Sequence, residues 1–153
     1  MNVAFEIHLL KGFGAFNFGQ TANDALKLFG TPEETQTLED DILKTSSYVM
    51  HYWSFGVSLF FDNMKNRAFT SIEIDNTDTL LFGEKVFHLN EKALTELMDK
   101  NGYKLSDTEQ HTWGEKRLSF DEAGLDCYYE NNKLSSINFG VLNSGEGFSY
   151  FPN

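Results

Sequence analysis

The chain has 153 residues, of which 41% are apolar and 15% aromatic, with 15 phenylalanines; this is enough to pack a core and excludes global disorder. A formal charge of −11 and a pI near 4.6 repel phosphate backbones, and the 12 Lys and Arg are scattered, which argues against a nucleic-acid interface. The start Met1-Asn2-Val3-Ala4-Phe5 has no basic region before a long apolar run, no stretch has the length of a membrane helix, and the single Cys127 leaves no internal disulfide. These features lead us to expect a cytoplasmic protein off the membrane.

Val3, Phe5, Ile7 and Leu9 alternate with polar or small residues, which predicts a strand over 2–10. Residues Lys11 to Gly19 mix glycine with aromatics and read as a turn into a short extended segment. They lack the third glycine and the Gly-Lys-Ser/Thr ending of a phosphate loop. Thr21, with Asp24 three residues on, is placed to cap a helix running to Phe29, with an apolar face of Ala25, Leu28 and Phe29 and a stop at Gly30 and Pro32. Glu33-Glu34 through Glu39-Asp40-Asp41 reads as a solvated acidic loop. Residues 47–53, 56–62 and 69–75 predict an antiparallel meander in which Val57, Leu59 and Phe61 face the core. The polar stretch Asp75 to Thr79 then marks a boundary.

Leu81 to Leu89 opens a second stretch of the same kind. Asn90 caps a helix with a stripe of Ala93, Leu94, Leu97 and Met98 that ends at Asn101-Gly102. Strands are expected at 103–106, 116–121, 124–130 and 134–140, with a tight turn at Asn131-Asn132, and the aromatic tail Val141–Asn153 is expected to dock.

Gly56 and Gly124 head similar strands and set an offset of 124 − 56 = 68. The same shift places Ala25-Leu26 on Ala93-Leu94, and Met50 and Tyr52 on Leu118 and Phe120. Agreement of three segments in one frame predicts an α+β chain made of two tandem helix-plus-antiparallel-sheet units, 1–78 and 79–153, with their sheets side by side and helices on one face. Under the shift Cys127 takes the place of Leu59 and reads as a small core side chain.

His8, His51, His88 and His111 show no metal-ligand spacing, and no serine-nucleophile motif is present. We therefore assign no catalytic residue, metal or cofactor. The outward strand positions are His51, Trp53, Ser58, Phe60 and Glu73 in the first unit and Arg117, Ser119, Asp126 and Tyr128 in the second. Aromatics ringed by charge are the composition of an interface, so Trp53, Phe60 and Tyr128 are the expected anchors, with His51, Arg117 and Asp126 around them.

Helix followed by meander, twice over, resembles the tandem β-lactamase inhibitor protein fold, which implies a concave sheet face presented to a partner. The run Phe18-Gly19-Gln20-Thr21 with Leu28-Phe29-Gly30-Thr31-Pro32 is similar to the helix motif of the small outer-membrane-assembly lipoproteins that share this unit. No lipobox cysteine and no disulfide pair accompany it. In class, though not in sequence, an acidic, motif-free chain of this size also looks like a toxin-neutralising immunity protein. Three functions stay open: a protein-binding module for a basic partner, itself a monomer or weak homodimer; a small-ligand binder or enzyme with its site in the cleft between the units; or a structural subunit whose exposed aromatics pair two identical chains.

Overall fold

The computed structural model describes residues 5–142. It is an α+β fold with two helices and two sheets. Strands β1 (Glu6–His8), β2 (Gly12–Phe13) and β3 (Phe16–Asn17) lead into α1 (Ala22–Phe29). Four long strands follow, β4 (Glu34–Asp40), β5 (Thr45–Tyr52), β6 (Val57–Asp62) and β7 (Ala68–Ile74). After the short β8 (Leu80–Leu81) and β9 (Glu84–Lys85) come α2 (Glu91–Lys100) and four more strands. These are β10 (Asp107–Gln110), β11 (Glu115–Phe120), β12 (Leu125–Glu130) and β13 (Lys133–Gly140).

The long strands form one sheet in the order β10-β11-β12-β13-β7-β6-β5-β4. The expectation of two adjoining sheets is corrected by the β13–β7 pairing, which runs antiparallel from Ile137↔Ile74 to Gly140↔Ser71. Joining there removes two edges that would otherwise be left as unpaired ladders. A smaller sheet, β3-β2-β1-β8-β9, links the start of the chain to its middle through a parallel β1–β8 pair. The expected strand over 2–10 is thus Glu6–His8 within the described residues.

Helix starts follow the local chemistry. The Thr21 hydroxyl accepts from the Asp24 N–H at 3.3 Å, and the Asp24 carboxylate accepts from the Thr21 N–H at 3.0 Å, so two free donors are satisfied reciprocally. Asn90 accepts from the Ala93 N–H at 2.8 Å. Ala22, Ala25 and Phe29 of α1 and Leu94 and Met98 of α2 are buried against the large sheet. Aligning the caps gives a helix offset of 90 − 21 = 69, which carries Ala25 to Leu94 and Phe29 to Met98. The match of Ala25-Leu26 to Ala93-Leu94 is therefore one residue out, because the sheet keeps 68 while the connection to the helix differs by one residue.

Two acidic segments differ from expectation. Glu34–Asp40 is a strand, all of it exposed, and the strand expected at 103–106 begins at Asp107. Both are edge strands, whose side chains reach water on either face and so carry no hydrophobic period. Gly56 and Gly124 hold equivalent places, each in the left-handed region at φ 68° and 64° after a single 3-10 turn. Asn131 and Asn132 form the expected two-residue hairpin with φ 52° and 64°.

Candidate functional site: the open face of the large sheet

Tyr52 donates to the Gly30 carbonyl at the end of α1, Tyr129 donates to the Leu89 carbonyl before α2, and Lys116 reaches Glu91 of α2. All three side chains leave the face that carries Met50, Leu59, Ile72, Leu118, Cys127 and Ile137, members of the core. The opposite face points away from both helices. Across it one row of side chains runs through all eight strands: Asp107, Ser119, Asp126, Asn138, Glu73, Ser58, His51 and Glu34.

Two cross-strand pairs in this row occupy equivalent places under the shift of 68. In one half the Ser58 hydroxyl lies 2.7 Å from His51 Nδ1; in the other the Ser119 hydroxyl donates to Asp126 Oδ1 at 2.6 Å. His51 Nε2 lies 3.1 Å from Gln36 Oε1, so Nε2 carries the hydrogen and Nδ1 accepts from Ser58. The Trp53 indole stacks on His51 with centroids 4.2 Å apart and points its N–H at Glu34. His51, expected to face outward, is only 9% exposed, and Ser58 and Ser119 are buried as well. These three therefore brace the face, while Trp53, 56% exposed, forms its outer surface.

Phe60, Arg117, Asp126 and Tyr128 lie half-buried on the same face. Phe60 stands in the first half between Val49 and Ser71, and Tyr128 in the second between Arg117 and Ser136. Burial first, and then the neighbouring Asp126 carboxylate, raise the Tyr128 hydroxyl above its ordinary pKa. Arg117 donates to Asp107 at 3.2 Å and Glu109 at 3.0 Å, so its charge is spent within the sheet. Sequence reasoning did not find Glu34, Asp107 or Asn138. Glu34 and Asp107 sit on the edge strands, and Asn138 is the centre of a row that exists only once β13 meets β7.

The register places Glu34, Asp40, Asp62, Glu73, Asp107, Glu109, Glu115, Asp126 and Glu130 on this face, with Arg117 and Lys133 as the cations among them. Nine carboxylates less two cations leave −7 of the chain's −11. Glu115 stands directly opposite Glu130, a like-charge pair that weakens a sheet. At the β7–β13 junction a shallow cleft of about 290 Å³ is lined by Phe60, Ser71, Glu73, Gly124, Asp126, Asn138, Phe139 and Gly140. A larger hollow of about 420 Å³ lies elsewhere, between Phe87–Asn90 and Asn132–Leu134. Among the described residues Lys133 is the one Lys, Arg, Asp or Glu that lines it.

Cys127, on the other face, is fully buried, and desolvation pushes its thiol well above the ordinary range. Among the described residues no group of three or more His, Cys, Asp or Glu converges as a metal site, and no helix is long and apolar enough to cross a membrane.

No family model and no curated protein matches the chain. Two solved structures are similar to it. One is an extracellular protein containing a SCP domain from Bacillus anthracis, 11% identical over 80% of this chain and 43% of that one, with a TM-score of 0.47. The other is the DUF4309 family protein YjgB from Bacillus subtilis, 13% identical over 79% of this chain and 78% of that one, with a TM-score of 0.44. The chain thus spans less than half the length of the first.

Proposed function

We propose that the chain is a non-enzymatic protein-binding module of the inhibitor or immunity type, acting in the cytoplasm, and that the open face of the large sheet docks a basic protein. In the same reading the halves 1–78 and 79–153 are copies of one unit, arranged as in the tandem β-lactamase inhibitor protein fold. The observation that carries the reading is the excess of nine carboxylates over two cations on a face that neither helix packs against. A face kept acidic at the cost of the Glu115–Glu130 repulsion gains when a cationic surface is laid on it. It also repels a second copy of itself, which favours a monomer. Trp53, Phe60 and Tyr128 supply the apolar area that such a contact needs at its centre.

Once a basic partner is in hand, the test is calorimetric titration of Trp53→Ala, Phe60→Ala and Tyr128→Ala with their folding checked by circular dichroism. Each anchor variant is expected to lose about 2 kcal/mol of binding, roughly thirtyfold, while staying folded. Unchanged affinity in all three contradicts the proposal.

A further inference from the structure

We propose that the cleft where β7 meets β13 is a subsite for one arginine side chain of the docked protein. The inference rests on the protein-docking reading of the face and names what the partner places at its centre. Asp126, Asn138 and Glu73 follow one another on adjacent strands along one row, so two carboxylates flank an amide, with neighbouring backbones about 4.8 Å apart. Asp126 uses Oδ1 for the Ser119 hydroxyl, which fixes the carboxylate and leaves Oδ2 for an incoming donor. Glu73 is exposed at the mouth.

Phe60 forms the apolar wall. A planar guanidinium can stack on that ring while its fork of N–H donors reaches both carboxylates, a combination that the compact lysine ammonium does not offer. The floor is made by Gly124 and Gly140, where no side chain stands between a visitor and the backbone. Neither position has room for one: a Cβ on Gly124 would come within 2.5 Å of the Gly140 carbonyl oxygen, and one on Gly140 within 2.7 Å of the Thr70 oxygen. Among the described residues no Lys or Arg lines the cleft, so Glu73 and Asp126 meet a visitor there with no cation of the cleft's own in competition.

The test uses the full chain, isotope-labelled, at low salt, with the blocked tripeptide acetyl-Gly-Arg-Gly-amide as probe, its citrulline counterpart as neutral isostere, and nona-arginine as a probe of the whole face. The arginine tripeptide is expected to give saturable amide shifts centred on Ser71, Glu73, Asn138 and Gly140, at least about tenfold tighter than citrulline. Glu73→Gln and Asp126→Asn should each weaken it about tenfold, whereas Glu39→Gln, outside the cleft, should leave it unchanged. Equal binding of citrulline, or shifts that never saturate, overturns the subsite. If nona-arginine shifts the row from Glu34 to Asp107 while the tripeptide leaves the cleft untouched, the subsite is wrong and the docking face stands. If neither peptide shifts the face, both fall.

Discussion

Phe60 and Phe61 are adjacent in sequence and point to opposite faces of β6, so the pair measures which face is core. Phe61 is fully buried, with ring centroids 6.2 Å from Phe16, 5.9 Å from Phe69 and 6.2 Å from Tyr48. Its truncation to alanine opens a cavity inside that aromatic cluster and should cost about 3–5 kcal/mol. Phe60 is half-buried on the open face. Fully burying a phenylalanine contributes about 1.5–3 kcal/mol, so Phe60→Ala should cost about 1 kcal/mol, with no cavity term because solvent fills the space. The assay is urea denaturation followed by far-ultraviolet circular dichroism on both variants and the parent. Thermal melts should separate them too, since a chain of this length loses about 2–4 °C per kcal/mol. A Phe60→Ala loss equal to that of Phe61→Ala would refute the assignment of the face as open.

Two further outcomes follow from burial. The Tyr52 hydroxyl, pushed up to about 12 by burial and then by Tyr48 and Glu33, keeps its proton more tightly folded than unfolded. Its contribution is fully present below pH about 10 and is lost as pH rises toward 12. Tyr52→Phe should therefore lose about 1 kcal/mol at neutral pH through the Gly30 hydrogen bond and show a flatter alkaline limb in melts against pH; an unchanged limb would contradict this. The Cys127 thiol, buried with its pKa raised, should react slowly with a thiol reagent in native protein and promptly in urea, and fast native labelling would contradict its place in the core.

How legible the fold was in the sequence depended on whether a segment met the core. Strands β5, β6, β7, β11, β12 and β13 lie within two residues of their expected ranges because one face of each is apolar, and Thr21 and Asn90 marked both helix starts. Strand β4 gave no such signal. Glu34-Thr-Gln-Thr-Leu-Glu-Asp is exposed throughout, and its acids read equally well as a loop. The junction of the halves was invisible for another reason: Ile72, Ile74, Ile137 and Phe139 would be apolar at an edge or at a centre, and pairing Ile74 with Ile137 is a long-range choice. That junction creates both the continuous row and the cleft. Alternation therefore named the strand residues of the outward face, whereas Trp53 lies on the 3-10 turn Trp53–Phe55 that follows β5 and not on the strand; His51, Ser58 and Ser119 are buried rather than outward-exposed, His51 beneath Trp53, a contact that period-two reasoning does not supply. The aromatics of residues 143–153, expected to dock, fall outside the described residues.

The central claim, that the open face meets a basic protein, is tested most directly by placing a photo-crosslinking amino acid at Phe60 on that face and, separately, at Leu26, which is exposed on α1 in the other layer. Both variants are irradiated in the source cell and the adducts are identified by mass spectrometry. The account predicts an adduct with a basic protein from position 60, suppressed when Glu73→Gln and Asp126→Asn are added, and none with that protein from position 26. Adducts from position 26 alone, or a position-60 adduct indifferent to loss of the carboxylates, would contradict it.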